Sequence, residues 1–202
     1  MNAFPGFYPI VDSADWVGRL APLGVRLLQL RIKERPPAQV RHEVRAALAA
    51  CRARQVQLVV NDHWQIALDE GADFIHLGQQ DLLAADLRAI RARGVRLGIS
   101  THDHAELDHA LTRDPDYIAL GPIYPTTLKA MPWAPQGLPR IGEWKRRVGR
   151  RPLVAIGGIT LERAAGCFDA GADSVAVVSD VTRHPEPAIR VAEWVALTGA
   201  RA

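Results

Sequence analysis

Cysteine is scarce in this chain, with only Cys51 and Cys167 among 202 residues. Both lie in alanine-rich segments that look helical, and their wide separation fits no zinc-ligand spacing. A scaffold held together by disulfides uses more cysteine than this. We therefore expect reduced, structural thiols and a cytoplasmic protein.

Long apolar runs and a strong charge of either sign are also lacking. No stretch reaches the ~18 apolar residues typical of a membrane-spanning helix, and Met1–Pro5 has neither the charged nor the apolar region of a signal peptide. The net charge is +3, with acids and bases interspersed along the chain. We expect small-molecule partners, with no membrane and no nucleic acid among them.

Short apolar runs alternate with helix-like segments along the whole length. Strands are predicted at Phe7–Val11, Leu27–Arg31, Gln57–Val60, Phe74–Leu77, Arg96–Ser100, Tyr117–Leu120, Leu153–Ile156 and Ser174–Val178. Helices are predicted at Ala38–Arg54, Leu83–Arg93, Leu161–Ala170 and Pro187–Leu197, with shorter ones at Asp15–Leu20 and Trp64–Glu70. Such alternation requires parallel strands joined by crossover helices.

Eight units of this kind predict an α/β fold, a compact (β/α)₈ TIM barrel that residues 1–202 form as a single domain. No linker or low-complexity segment divides the chain. The main alternative is a doubly wound open sheet, which would carry a glycine-rich turn after its first strand. Here Asp12-Ser13-Ala14-Asp15 follows instead, which favours the barrel.

The second predicted strand has an unusual polar pattern. Successive strand side chains point to opposite faces, so Gln29, Arg31 and Lys33 would share one face and the intervening apolar residues the other. In a barrel that face is the interior at the carboxyl end, where an amide and two cations suit an anionic ligand such as phosphate. The alternative is an edge strand with a solvated face. This segment alone does not decide between the two.

Polar residues also follow the other predicted strands. Backbone N–H groups of Gly157-Gly158, together with Ser179 after the eighth strand, predict a phosphate site. Asp62 and Asp81 follow the third and fourth strands and are the candidate metal ligands, since Mg²⁺ takes one or two carboxylates plus phosphate oxygens. The alternative is that each aspartate caps the helix after it.

Three histidines receive no ligand role. His76 lies within the fourth predicted strand, where a hydrogen-bonded core histidine is expected. His102 and His104 have no further ligand at zinc spacing. No serine or cysteine nucleophile motif is apparent in the sequence.

Seven motifs occur in order at the ends of the predicted strands. They are Gln29-Leu30-Arg31-Ile32-Lys33, Asn61-Asp62, His76-Leu77-Gly78-Gln79-Gln80-Asp81, Gly98-Ile99-Ser100-Thr101-His102, Gly121-Pro122-Ile123-Tyr124-Pro125-Thr126, Ile156-Gly157-Gly158-Ile159 and Gly171-Ala172-Asp173-Ser174-Val175-Ala176-Val177-Val178-Ser179. In this order the motifs resemble those of the thiamine phosphate synthase family, over nearly the whole chain.

The resemblance implies a transferase that joins 4-amino-5-hydroxymethyl-2-methylpyrimidine diphosphate to a thiazole phosphate, giving thiamine monophosphate and pyrophosphate. It implies that pyrophosphate departs before the thiazole nitrogen attacks. It also implies Mg²⁺ as the cofactor, bound by Asp62 and Asp81. The catalytic residues it implies are Arg31, Lys33, Ser100 and Lys129. The substrate-binding residues it implies are Gln29, Leu30, Arg31, Ile32, Lys33, Asn61, Ser100, Thr126, Thr127, Leu128, Lys129, Gly158, Val178 and Ser179.

The sixth loop departs from the family pattern, because Leu128 stands where a second threonine usually precedes the lysine. Losing that hydroxyl removes one phosphate donor, worth ~1 kcal/mol if nothing compensates. One alternative is a thiazole tautomerase of the same fold, whose catalytic histidine follows the glycine of this loop, where this chain has Pro122. The other is a protein that binds a thiamine precursor without turning it over. The sequence leaves a homo-oligomer open.

Overall fold

The computed structural model describes residues 4–126 and 133–200. Within them, eight parallel strands close into a barrel in sequence order, with the last strand pairing with the first. The strands are β1 Phe7–Val11, β2 Leu27–Leu30, β3 Gln57–Asn61, β4 Phe74–Leu77, β5 Arg96–Thr101, β6 Tyr117–Leu120, β7 Leu153–Ile156 and β8 Ser174–Val177. The predicted (β/α)₈ TIM barrel is confirmed.

Helices surround the barrel and connect its strands. They are α1 Ala14–Leu20, α2 Pro37–Arg52, α3 Trp64–Asp69, α4 Gln79–Ala84, α5 Leu87–Ala92, α6 His104–Thr112, α7 Gly137–Val148, α8 Leu161–Asp169, α9 Ser179–Thr182 and α10 Pro187–Gly199, with a 3₁₀ turn at Ala21–Leu23. In the described part of the chain, no helix has both the length and the apolar character needed to cross a membrane.

The single helix predicted at Leu83–Arg93 is wrong, because the structure has two helices there. Ala85 adopts an extended conformation and ends α4. The carboxylate of Asp86 then accepts a hydrogen bond from the Ala89 N–H at 2.9 Å, which caps α5. A side-chain cap of this kind satisfies a backbone donor that would otherwise lack a partner at the start of a helix. The apolar periodicity continues across the break between α4 and α5, so the sequence pattern did not reveal the break.

Two layers of apolar side chains stabilise the barrel, one inside it and one between the strands and the helices. The inner layer comprises Tyr8, Ile10, Leu27, Val59, Phe74, Tyr117, Ala119, Val154 and Ala176. The alternate strand residues, such as Leu28 and Leu30, join the larger outer layer with the helices. Burying each large apolar side chain is worth ~2 kcal/mol. Because the interior is filled, the barrel is a rigid support for the loops at its carboxyl end.

Candidate functional site

Gln29 lies inside the barrel, on the face that the alternation of β2 predicts. Its side chain is 2% exposed, whereas Leu28 and Leu30 pack in the outer layer. Strand β2 ends at Leu30, one residue earlier than predicted, so Arg31 and Lys33 lie in the loop that follows. The edge-strand alternative is wrong, because β2 pairs with β1 and with β3 in a closed barrel.

A line of hydrogen bonds crosses the barrel interior from Gln29 to Ser100. The Gln29 amide donates to Tyr8 Oη at 2.8 Å, and Tyr8 Oη lies 2.9 Å from Tyr117 Oη. Tyr117 Oη is 2.7 Å from His76 Nδ1, and His76 Nε2 is 2.7 Å from Ser100 Oγ. These five side chains come from β1, β2, β4, β5 and β6, so strand register fixes their contacts.

Burial controls the protonation of this interior line. It lowers the pKa of His76 to about 4, although the charge of Asp62 acts in the opposite direction and that of Arg31 assists. It also raises the pKa of Tyr8 and of Tyr117 well above the ordinary value. A neutral imidazole and two neutral phenols are therefore the forms present near pH 7. The expectation that His76 is a hydrogen-bonded core histidine is confirmed.

Within residues 4–126 and 133–200, Asn61 carries a buried polar group that has no hydrogen-bond partner. The residue is 5% exposed, and its Nδ2 is the buried side-chain atom of the described residues that makes no hydrogen bond. Leaving a buried donor unsatisfied costs about 1–3 kcal/mol. Asn61 ends β3 and pairs in register with His76, which places its amide at the carboxyl end of the strands. An unpaired donor at this position is suited to an acceptor atom of a ligand.

Asp62 and Lys33 form an ion pair at the same end of the barrel. The Asp62 side chain is 9% exposed, and its backbone adopts a left-handed conformation, with φ of 61°. Burial alone would raise the pKa of Asp62, but the hydrogen bond and charge of Lys33 outweigh burial and lower it. Strained backbone at an ion pair is typical of functional positions.

Asp81 lies against Asp62, although the two follow different strands. Its pKa is raised by burial, by the negative charge of Asp62 and by a hydrogen bond between the two carboxyls. Neither aspartate caps a helix, so those alternatives are wrong. His63 occupies the N-cap position of α3, and Asp81 lies inside α4, which Gly78 precedes. The structure therefore brings together the two aspartates that were predicted to bind metal.

The two carboxylates fit a divalent cation with a preference for oxygen. The two carboxyls come within hydrogen-bonding reach of one another, although both carry negative charge when ionised. Lys33 forms an ion pair with Asp62, and its charge also acts against the rise in the pKa of Asp81. Across residues 4–126 and 133–200, no cluster of three or more histidine, cysteine, aspartate or glutamate side chains could hold a metal. Magnesium does not require such a cluster, because water and substrate phosphate oxygens complete its shell.

The loops after β7 and β8 contain the predicted phosphate-binding glycines and Ser179. Gly157 and Gly158 have φ of 100° and 63°, and an added Cβ on Gly158 would lie 2.4 Å from the carbonyl oxygen of Pro125. Glycine is therefore required here for backbone conformation and for close packing against the sixth loop. Val178 precedes α9, and Ser179 is its first residue.

A partly buried ion pair that the sequence pattern did not reveal fixes α9 in place. The Asp180 carboxylate accepts two hydrogen bonds from Arg190, each at 2.9 Å, and a third from Trp194 Nε1 at 2.7 Å. Both partners lie on α10. A bidentate arginine contact is directional, so it fixes orientation as well as position. Since Asp180 follows Ser179, this contact orients the loop after β8.

The remaining predicted residues lie in or near the sixth loop. Thr126 is the last described residue before the gap, and Thr127, Leu128 and Lys129 lie outside the described residues. Beyond the gap, the ring of Trp133 stacks on His102 at a centroid distance of 4.0 Å. This contact links the segment after the gap to the loop that follows β5.

The family model and the relatives most similar in sequence indicate one family. The thiamine monophosphate synthase family matches residues 7–181. A thiamine-phosphate synthase of Rhizobium etli is 62% identical over 192 residues, which cover 95% of this chain and 94% of that protein. A thiamine-phosphate synthase of Citrobacter koseri is 48% identical over 195 residues, covering 96% of this chain and 92% of that protein.

A solved structure gives the same fold. The thiamine phosphate pyrophosphorylase from Pyrococcus furiosus superposes with a TM-score of 0.84 at 24% sequence identity, and 96% of each chain is covered. The chain belongs to the thiamine monophosphate synthase family.

Proposed function

We propose that this chain is a thiamine-phosphate synthase that uses Mg²⁺ held by Asp62 and Asp81. The activity follows from family membership, which makes the chain a transferase. The observation that carries the metal proposal is the Asp62–Asp81 pair, in which two facing carboxyls have one pKa lowered and the other raised. When bound by these carboxylates, Mg²⁺ would supply positive charge to the oxygens of the diphosphate.

The pyrimidine diphosphate would lie over the β2–β5 half of the barrel mouth. Its oxygens would meet the cations Arg31 and Lys33, with Lys129 of the sixth loop as a third. Asn61 would donate a hydrogen bond from its unpaired Nδ2 to an acceptor atom of this substrate. The side chains of Leu30 and Ile32 face the outer layer. For these two residues we therefore propose contacts through the main chain only.

The other residues of the two substrate sites are proposed as follows. Gln29 and Ser100 would hold the pyrimidine diphosphate, and Thr126, Thr127, Leu128, Gly158, Val178 and Ser179 would surround the thiazole phosphate. The contact between Asp180 and Arg190 supports the second site, because it orients the residue that directly follows Ser179.

The chemistry these residues can perform is charge stabilisation and placement. Departure of pyrophosphate leaves a cation on the pyrimidine methylene, and electron donation from the ring stabilises that cation. Arg31, Lys33 and Lys129 would stabilise the negative charge that develops on the leaving group. Holding the thiazole nitrogen close to the methylene carbon favours its attack over that of water. No side chain needs to act as a nucleophile in this scheme.

The test is to measure pyrophosphate and thiamine monophosphate from both substrates with Mg²⁺. We expect both products from the wild type, and a loss of at least tenfold in kcat/KM for Asp62→Asn and Asp81→Asn, equivalent to about 1.4 kcal/mol each. Asp73→Asn is the matched control, because Asp73 precedes β4 at the opposite end of the barrel and its side chain is 66% exposed.

The outcomes distinguish the candidate functions. Substrate binding without product would support the non-catalytic binding protein, and isomerised thiazole phosphate without pyrophosphate would support the tautomerase. Either result overturns the synthase proposal. Full activity in both aspartate variants would leave the synthase activity intact and overturn the metal assignment.

A further inference from the structure

The hydrogen bonds between Gln29 and Ser100 form a series in which each hydroxyl has one proton to give. The Gln29 amide nitrogen is the donor to Tyr8 Oη. Tyr8 can then give its own proton to Tyr117, 2.9 Å away. Tyr117 in turn can give its proton to His76 Nδ1 at 2.7 Å. With the Gln29 amide as first donor, the arrangement that gives every buried hydroxyl proton an acceptor has the same direction in each later bond.

The same count of protons determines the state of His76. If Nδ1 accepts from Tyr117, a neutral imidazole must carry its proton on Nε2. That proton faces Ser100 Oγ at 2.7 Å. Ser100 Oγ then accepts from His76, and its own proton is available for a different acceptor. The backbone carbonyl of Ser100 is already engaged by the Gln79 amide at 2.6 Å, which holds this residue in place.

We infer that this one-way line of hydrogen bonds holds His76 as its Nε2–H tautomer and presents the Ser100 hydroxyl as a donor to an anionic oxygen of the substrate. Tyr117 and His76 are then positioning residues, which act on the substrate through Ser100. The inference rests on the proposed function, because it takes the ligand of Ser100 to be the diphosphate-bearing substrate.

The reverse direction requires the Gln29 amide to be turned over, so that its oxygen accepts from Tyr8. Every later bond would then reverse, and Ser100 would donate to His76 and offer only lone pairs to the ligand. An anionic oxygen can accept hydrogen bonds but cannot donate them. A diphosphate at the barrel mouth therefore selects the direction in which Ser100 donates.

A glycine opposite Tyr117 leaves the space that the tyrosine ring of this line occupies. Gly98 on β5 is opposite Tyr117 on β6, and a Cβ at Gly98 would lie 2.1 Å from the Cζ atom of the tyrosine ring. Tyr8 and Tyr117 are 1% and 0% exposed, so their hydroxyls have the neighbouring side chains as partners. Glycine at this strand position lets the Tyr117 hydroxyl reach His76.

The direct test is the tautomer of His76, read by ¹⁵N NMR of protein labelled at its seven histidines. The His76 resonance is assigned by its loss in His76→Gln. We expect the Nε2–H tautomer in the wild type near pH 7, and a mixture of tautomers in Tyr117→Phe, which lacks the donor to Nδ1. An Nδ1–H tautomer in the wild type overturns the inference. This measurement needs no enzymatic activity, so its result is independent of the synthase proposal.

A kinetic cycle tests whether the line acts through Ser100. We expect Tyr117→Phe to lower kcat/KM for pyrophosphate release roughly tenfold in the wild type, and hardly at all when Ser100→Ala is already present. If the two losses multiply instead, Tyr117 has a structural role only. Thr198→Val is the control, since it removes another buried hydroxyl, on α10, that donates to the Trp194 carbonyl.

Discussion

The buried imidazole of His76 makes the barrel sensitive to mild acid. In the folded protein burial lowers its pKa to about 4, against an ordinary value of 6.5. Between these two values the unfolded chain binds a proton that the folded chain does not. At neutral pH the imidazole is uncharged in both states and does not affect the free energy of unfolding. As the pH falls below about 6.5 the free energy of unfolding therefore decreases, and the decrease continues down to about pH 4.

The size of this loss follows from the two pKa values. Between about pH 7.5 and about pH 5, the free energy of unfolding should fall by about 2 kcal/mol through His76 alone. Domains are commonly stable by only about 5–15 kcal/mol, so a change of this size is readily measured. The ion pair of Asp62 adds little in this range, because the pKa of that carboxyl is below its ordinary value.

Urea unfolding, followed by circular dichroism at the two pH values, provides the measurement. His76→Gln replaces the imidazole with a neutral amide, which can still accept from Tyr117 and donate to Ser100. We expect the wild type to lose about 2 kcal/mol more than this variant on acidification. His42→Gln, at an exposed position of α2, should behave like the wild type. Equal losses in the wild type and His76→Gln would refute the reasoning.

Three further substitutions test other parts of the structure. Gly98→Ala places a Cβ 2.1 Å from the facing tyrosine ring and should lower the free energy of unfolding by about 1–3 kcal/mol. Gly18→Ala, on an open face of α1, should not destabilise the protein, and urea unfolding compares the two variants. Lys33→Met removes the charge that lowers the pKa of Asp62, so the acid limb of kcat/KM should move to higher pH, and an unmoved limb contradicts the pairing. Arg190→Met leaves the Asp180 carboxylate of α9 without its guanidinium partner, so we expect the free energy of unfolding to fall by about 2 kcal/mol. We also expect KM to rise more for the thiazole phosphate than for the diphosphate, and equal increases in the two KM values would count against the proposed site.

The barrel fold and the inward orientation of the Gln29 side chain could be predicted from the sequence, because both depend on local periodicity. Apolar runs separated by helical patterning indicate parallel strands, and alternation along one strand indicates which side chains face inward. All eight predicted strands occur, with ends that differ by at most one residue. The break between α4 and α5 depends on a single capping contact by Asp86, which periodicity does not report.

The contacts of the candidate site could not be predicted in this way, because they join residues that are distant in sequence. Tyr8 and Tyr117 are 109 residues apart, and their hydroxyls meet only because β1 and β6 both line the interior of a closed barrel. Asp180 and Arg190 are close in sequence but lie on different helices, so helical spacing does not pair them. One signal was present, because a glycine within a strand such as Gly98 often marks a site of close approach, and here the Tyr117 ring occupies that space.

The barrel mouth has two chemically different halves. On β2 to β5, the inward residues nearest the carboxyl end are polar. They are Gln29, Asn61, His76 and Ser100. On β6 to β8 the corresponding residues are apolar. They are Ala119, Ile156 and, directly after β8, Val178.

This division has a physical consequence for a reaction between two substrates. A diphosphate requires donors and cations, and these are concentrated on the β2–β5 half, with Lys33 and Asp62 beside it. An aromatic ring that carries one phosphate requires an apolar surface and a separate group of backbone donors, which the β6–β8 half and its glycine loop provide. The two ligands would thus meet along the boundary between the halves. Exchanging their positions would place a charged diphosphate on an apolar surface, so the division favours one orientation of the reacting pair.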